Sequence, residues 1–319
     1  MSSAAQRLVT PLSSAPTPSA KPDGGELGCY REIVEEAKCW IIKIRTDGIV
    51  SFVNRFAAEF FERPPEALVG RPLVGEMISP VDTMDPPIES LVATLRGRAG
   101  AQASWETLIH APDGNQVWIA WSTTGLFDAQ GELVELVAVG ADISERKKLE
   151  TELIRLAITD PLTGAFNRRY LVETGDRESD RARRYSTPCS ILIIDIDHFK
   201  SVNDTYGHAI GDTTLQALTH ACRKMLRGSD TFGRLGGEEF AVILPQANLE
   251  HATNLAERIR RAVSRLEVPT PKGAVTFTIS IGAAQLQADR ENFNEALIRA
   301  DAALYAAKQG GRNRVVAAR

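Results

Sequence analysis

The apolar run "ILIID" ends abruptly on Asp195, and Asp197 follows two residues on. In open α/β sheets ligands bind beyond the carboxyl ends of strands, so a carboxylate at that point can reach a ligand without full burial. A second acidic group stands in "RLGGEEFAVIL", residues 234–244. Gly236 and Gly237 allow the positive φ angles of a tight two-residue turn, which places Glu238 and Glu239 at the first positions of the returning strand. If that strand pairs near the "ILIID" strand, Asp195 and one or both glutamates converge. Three carboxylates at one point repel one another unless cations sit between them. Hard divalent cations take oxygen ligands, and Mg²⁺ commonly joins one or two carboxylates to substrate phosphates. The constellation points to two-metal phosphoryl or nucleotidyl transfer. Taken singly, the same residues also suit blander roles: Asp195 a strand end, Asp197 the cap of the next helix, "GGEE" a charged hairpin tip.

The elements that must position these residues follow from Asp160 onward. "RYLVETGDRESDRARRY" reads as a helix, and "CSILIID" as a continuous apolar strand covered on both faces. "DTTLQALTHACRKML" is an amphipathic helix, "TFGRLGGEEFAVILP" a hairpin, and "NLEHATNLAERIRRAVS" a helix. "AVTFTISIGAAQ" is a strand and "FNEALIRADAALYAAKQG" a final helix. Alternation of this kind predicts an α/β domain with a mixed central sheet.

The rest of the chain bounds the function. Its 319 residues, 43% hydrophobic and 24% charged, suffice for about two domains. A net charge of −4 argues against a nucleic-acid partner, which a basic excess would favour. No apolar run approaches the roughly 20 residues of a membrane span, and the N-terminus lacks the apolar core of a signal peptide. Cys29, Cys39, Cys189 and Cys222 show no short metal-type spacing and read as reduced thiols, so a cytoplasmic location is expected. Residues 1–27, rich in Ser, Ala, Pro and Gly, read as a disordered tail.

Residues 28–144 form a separate α+β pattern. After a short helix at "YREIVEEA", "CWIIKI" and "IVSFVN" are strands joined at Asp-Gly, and Asn54 caps a helix carrying Phe56, Phe60 and Phe61. Beyond a Pro-rich irregular stretch come three strands separated by "PDGN" and "DAQGE". With "DGIVSFVN", "ALVGRPL", "DGNQVWIAW" and the closing "VGADISERKKLE" in this order, the region resembles a PAS sensor domain. The resemblance implies a five-stranded antiparallel sheet with a cupped face that holds a ligand or only assists dimerisation. The ligand is unknown: His110 is the domain's lone histidine, on a predicted strand, and Cys29 and Cys39 precede the segment where a flavin-adduct cysteine is expected. Residues 145–159 carry Leu149, Leu153 and Leu156 at i, i+4, i+7, the stripe of a two-stranded coiled coil or of a helix lying on its own domain; the coiled coil is favoured.

"RLGGEEF" together with "DIDHFKSVNDTYGHAIGD", "DPLTGAFNRR", "FTISIGAA" and "ADAALYAAKQGGRNRV" resembles the GGDEF family, the diguanylate cyclases, over residues 160–319. The resemblance implies a palm-like mixed sheet flanked by helices, and a reaction joining two GTP into cyclic di-GMP with release of two pyrophosphates. It implies that Asp195, Glu238, Glu239 and the Ile196 carbonyl hold two Mg²⁺ ions, with Mn²⁺ as a substitute. Either Glu238 or Glu239 helps deprotonate the attacking 3′-hydroxyl. Asn203 and Asp212 would hydrogen-bond guanine, an amide and a carboxylate matching its acceptor and donor edges. Leu162, Phe199 and Leu215 would wall the base. The backbone around His198, Phe199 and Lys200 would cradle phosphates, which Lys200, Lys308 and Arg312 would neutralise. Arg234 and Asp160 would form a supporting ion pair. Three positions depart from the commonest family pattern: Glu238 where Asp is commoner, Leu235 for an aromatic and Ala165 for a leucine.

"RGSD", read bare, is a helix end and a polar turn. In the family an RxxD at this spacing is an inhibitory product site, so Arg227 and Asp230, completed by Arg258, are expected to bind cyclic di-GMP. Because the product has two symmetric 3′-to-5′ bonds, the expected assembly is a homodimer through the PAS region, the linker helix and the cyclase domains, with the PAS signal setting its geometry. The rival readings are a non-catalytic module that binds GTP or cyclic di-GMP, and a scaffold in which the PAS dimer matters most.

Overall fold

The computed structural model describes residues 24–78, 87–96, 100–270 and 273–318. Two compact units divide at Leu149/Glu150. Of the expected tail, residues 1–23 lie outside the described residues, whereas α1 (Gly24–Glu36) already begins at Gly24, four residues before the expected boundary.

In the N-terminal unit, β1 (Trp40–Arg45) and β2 (Val50–Val53) form a hairpin. Asn54 caps α2 (Arg55–Phe60), accepting from the Ala57 N–H, and its amide also donates to the carbonyls of Val34 and Cys39. The irregular stretch contains short α3 (Pro65–Leu68) and α4 (Leu73–Glu76) and a real helix, α5 (Ile88–Leu95). Ile88, Leu91, Val92 and Leu95 bury one face of α5, a 3.6-residue pattern opening directly after Pro87. Then β3 (Gln102–His110), β4 (Gln116–Phe127) and β5 (Leu133–Asp142) complete an antiparallel sheet in the order β2-β1-β5-β4-β3. On its inner face Trp105 and Trp121 stack 5.4 Å apart. Each indole N–H donates to a buried threonine, Thr123 at 2.9 Å and Thr107 at 3.0 Å. The cavity left beside them, lined by apolar side chains such as Ile42, Met77 and Ile109, measures only about 10 Å³, room for a single water. His110 is exposed, 3.0 Å from Gln116.

The helix α6 (Ser144–Ile158) buries no side chain. Leu149, Leu153 and Leu156 are exposed, so the stripe does not lie on its own domain.

In the C-terminal unit α7 (Arg168–Tyr185) precedes β6 (Cys189–Ile196), whose eight residues are all buried, as a strand covered on both faces requires. The helices α8 (Phe199–Tyr206) and α9 (His208–Arg223) follow, then β7 (Thr231–Gly236), β8 (Glu239–Pro245) and α10 (Leu249–Val263). The single strand expected at "AVTFTISIGAAQ" is broken. Its start, β10 (Gly273–Val275), pairs with β9 (Val268–Thr270), and only β11 (Ile279–Gln285) joins the main sheet. The break falls at Thr276–Thr278, where the Thr278 carbonyl and hydroxyl both turn to Asp197. The helix α11 (Phe293–Gln309) and β12 (Val315–Ala317) close the chain. The sheet order is β12-β11-β6-β8-β7; β11–β12 is parallel and the other pairs are antiparallel, so the sheet is mixed. Helices cover both faces: α9 and α10 pack with Leu192, Ile194 and Val242, whereas α7 and α11 pack with Ile191, Ile193 and Ile243.

Candidate active site

The strand β8 pairs antiparallel with β6, and the register sets Asp195 opposite Glu239. The turn before β8 lies one residue later than the glycine pair suggested. Gly236 pairs with Glu239, so the two turn residues are Gly237 and Glu238, and only Glu239 begins the strand. A bulge at Leu235 supplies the extra residue, its side chain turned into the α7/α11 core. Gly237 adopts φ 54°, the left-handed conformation that a side chain resists. Its carbonyl accepts from Arg234 Nε (2.9 Å) and Nη2 (2.6 Å), while Arg234 Nη1 lies 3.1 and 3.2 Å from the two carboxylate oxygens of Asp160. The expected Arg234–Asp160 pair is therefore present, and it clamps the turn that carries Glu238. Burial pushes the Asp160 carboxyl up, but bonds from Thr163 and Arg234 outweigh it and hold the group below the usual aspartate value.

Asp195 is 3% exposed. Burial pushes its carboxyl up to about 6, and the charges of Glu238 and Glu239 push the same way. Lys308, at the end of α11, opposes the shift: its ammonium sits 2.8 Å from Asp195 Oδ2. A cation at the carboxylates was expected on charge grounds, and a lysine supplies one here. Among the described residues no three His, Cys, Asp or Glu side chains form a ready-made metal cluster. The donor set nevertheless fits Mg²⁺, which takes one or two carboxylates and completes its shell with water and phosphate oxygens.

Two residues past the end of β6, His198 enters α8 with φ 58°. The amide groups of the first turn, including those of Phe199 and Lys200, have no intrahelical acceptor and can meet an anion. Lys200 and Arg312 are exposed. Phe199 and Leu215 are buried in one apolar cluster, with half-buried Leu162 packed against it. Asn203 on α8 lies against Gly211 of α9, the residue before Asp212. A Cβ on Gly211 would lie 1.9 Å from Asn203 Oδ1, so only glycine lets the amide rest there. Ile196, whose carbonyl was expected at the metal, closes β6 opposite Ile279.

Arg227, Asp230 and Arg258 line a separate pocket of about 290 Å³ between the end of α9, the end of β8 and α10. Asp230 Oδ2 accepts from the Arg227 N–H at 2.8 Å, closing the turn. His251 and Asn254, which the sequence reading passed over, line the same pocket at the α10 helical spacing of i, i+3 and i+7 with Arg258. Asp197, for which a helix cap was the blander reading, is buried against Thr278 and Ser280, and His198 holds the cap position of α8.

Residues 157–314 match the family described as "Diguanylate cyclase, GGDEF domain", and residues 34–148 match "PAS fold". The chain is 44% identical over 160 residues to a probable diguanylate cyclase, DgcC, of Escherichia coli, covering 50% of this chain and 43% of that protein. It is 39% identical over 183 residues to the E. coli diguanylate cyclase DgcM, covering 57% of this chain and 44% of that protein. It thus spans less than half the length of these curated relatives. A crystal structure of the coiled coil and GGDEF domain of DgcB from Caulobacter crescentus, in complex with c-di-GMP, superposes with a TM-score of 0.52 at 33% identity, covering 55% of this chain and 93% of that one. By these matches the chain belongs to the GGDEF-domain family of diguanylate cyclases and carries a PAS fold ahead of that domain.

Proposed function

We propose that this protein condenses two GTP into cyclic di-GMP and two pyrophosphates. The observation that carries the reading is the cross-strand pair Asp195–Glu239 with Glu238 in the clamped turn, a carboxylate excess that only bound cations can neutralise fully. Guanine would lie against Leu162, Phe199 and Leu215, read by Asn203 and Asp212. The α8 amides with Lys200, Lys308 and Arg312 would take the polyphosphate. Lys308 would leave Asp195 for phosphate when the nucleotide brings its cation. Asp195, Glu238, Glu239 and the Ile196 carbonyl would hold Mg²⁺, whose chemistry is neutralisation of charge on the α-phosphate and the leaving pyrophosphate.

Each half-reaction forms one O3′–Pα bond and breaks one Pα–O–Pβ bond. The proton of the attacking hydroxyl passes to Glu238 or Glu239, and pyrophosphate departs in line. Because one domain binds one GTP, two domains must face each other, and orientation supplies much of the rate. The exposed Leu149–Leu153–Leu156 stripe supports pairing of two linker helices, through which the PAS units would set that geometry. The Arg227–Asp230–Arg258 pocket would bind the product and inhibit. The test is incubation of the purified full chain with GTP and Mg²⁺. Cyclic di-GMP and pyrophosphate should form in a one-to-two ratio, and their absence at high protein concentration would refute the proposal.

A further inference from the structure

Asp195 in β6 and Asp197, one residue past the end of that strand, have opposite fates. Asp195 faces the glutamates and Lys308. Asp197, 5% exposed, accepts three hydrogen bonds: from Ser280 Oγ to Oδ1 at 2.7 Å, and from Thr278 Oγ1 (2.7 Å) and the Asn313 N–H (3.0 Å) to Oδ2. The Asn313 contact bridges 116 residues of sequence and lands in an unusual segment. Gly311, Arg312 and Asn313 have φ of 110°, 62° and 44°, three left-handed residues in a row, two of them not glycine. Such a conformation is disfavoured for a residue such as Arg312 and persists only where surrounding contacts over-determine it. Arg260 Nη1 holds Asn313 Oδ1 at 2.6 Å, and the Arg312 N–H reaches the Ala307 carbonyl at 3.1 Å. Of the hydrogen bonds to residues 311–313, the Asp197–Asn313 bond is the one that fixes the segment to the strand bearing Asp195.

We infer that Asp197 is a positioning residue for the nucleotide's polyphosphate: by gripping the Asn313 N–H it holds Arg312 in its left-handed conformation, and the end of α11 with Lys308, at a fixed place relative to Asp195. The inference rests on the proposed GTP site and assigns Asp197 no contact with substrate. Loss of the bond lets Arg312 return to ordinary backbone angles and carries its guanidinium away from the β- and γ-phosphates. The guanine contacts of Asn203 and Asp212, on α8 and α9, are untouched. The signature is selective loss of polyphosphate affinity, which general loosening of the fold does not produce.

The experiment measures Kd of the full chain for a GTP analogue with a methylene between Pα and Pβ, and for GMP. Three variants are compared with wild type: Asp197→Ala, Asp197→Asn and Asn313→Pro. Asn313→Pro removes the donor and imposes a φ of about −65° in place of 44°, so it reports what loss of the left-handed segment does to polyphosphate binding, and Asp197→Asn keeps the test of Asp197 itself open if Asp197→Ala does not fold. Asp197→Asn can still accept from Asn313 and donate to Ser280, and should rescue in part. The expected result is that Asp197→Ala and Asn313→Pro weaken the analogue by about tenfold or more, the usual effect of misplacing a charge-assisted contact, while GMP changes less than about threefold. An unchanged ratio of the two affinities in a folded variant overturns the inference. Wild type that binds the analogue no tighter than GMP also overturns it. Wild type that discriminates but makes no cyclic di-GMP overturns the proposed reaction and leaves this inference standing.

Discussion

Replacing Asp195 by Asn should stabilise the C-terminal unit at neutral pH when divalent cations are chelated. The folded carboxyl is pushed from 3.8 to about 6, net of its pairing with Lys308. Between about pH 4 and pH 6 the folded state therefore holds a proton that the unfolded chain releases. The contribution of this group to stability is fully present below pH 3.8 and is lost as pH rises through about 6. At ~1.4 kcal/mol per pH unit, the ionised side chain costs the folded state about 3 kcal/mol at pH 7. An amide of the same shape avoids that cost, and the partly exposed Lys308 can return to water. Denaturant unfolding of the full chain in EDTA, followed by a probe in residues 150–319, should show Asp195→Asn more stable by about 3 kcal/mol at pH 7 and by only a few tenths at pH 4. Added Mg²⁺ should raise the wild type and narrow the gap, because a bound cation stabilises only the variant that retains the carboxylate. A variant no more stable than wild type at pH 7, or one whose gain is the same at both pH values, would refute the electrostatic account. Activity should be lost throughout, since stability gained at a functional carboxylate is commonly set against function.

The other predictions address separate parts of the machinery. Gly211→Ala drives a methyl group into Asn203 Oδ1, and KM for GTP should rise about tenfold or more with little change in thermal midpoint. Arg234→Lys keeps a charge opposite Asp160 but cannot fork to the Gly237 carbonyl, and kcat should fall by about tenfold, ~1.4 kcal/mol, as the turn loosens. Arg227→Ala should leave initial rates intact and abolish inhibition by added cyclic di-GMP; equal inhibition of variant and wild type would remove the pocket from the argument. Leu153→Asp places a charge in the exposed linker stripe and should lower turnover most at low protein concentration, where pairing limits the rate.

The strong hydrophobic periods made most of the fold legible. The all-buried β6 strand, the five-strand pattern with its Asp-Gly turn, and the long amphipathic helices all read directly from residue types. The hairpin was legible as a hairpin but not to the residue. Two adjacent glycines look like the turn pair, yet the Leu235 bulge, favoured by the apolar core under it, moves the turn onto Gly237 and Glu238. The strand at 274–285 read as continuous because β-branched and aromatic residues run without interruption by a turn residue from Val275 to Ile279; it breaks where Thr278 is recruited by a distant carboxylate. α5 carried its i, i+3, i+4, i+7 signal in plain view and was hidden by the prolines before it.

Asp195 and Asp197 mark where residue types stop being informative. In the sequence they are two equivalent carboxylates at one strand end. In the fold, Asp195 gains two like charges and one partly exposed ammonium, which leaves the cluster with an excess of negative charge. Asp197 gains two hydroxyls and a backbone N–H from residues 81, 83 and 116 positions away, a set of donors that engages both of its oxygens from within the protein. Both are buried, so burial does not separate them. What separates them is whether the partners are like-charged and exchangeable or neutral and fixed, and those partners come from β8, β11 and the end of α11. A carboxylate whose neighbours repel it is poised to bind; one whose neighbours all donate is poised to hold. Local sequence contains neither set of neighbours, which is why the proposed role of Asp195 could be read only as one of two alternatives until the resemblance was added, and the role inferred for Asp197 required the fold.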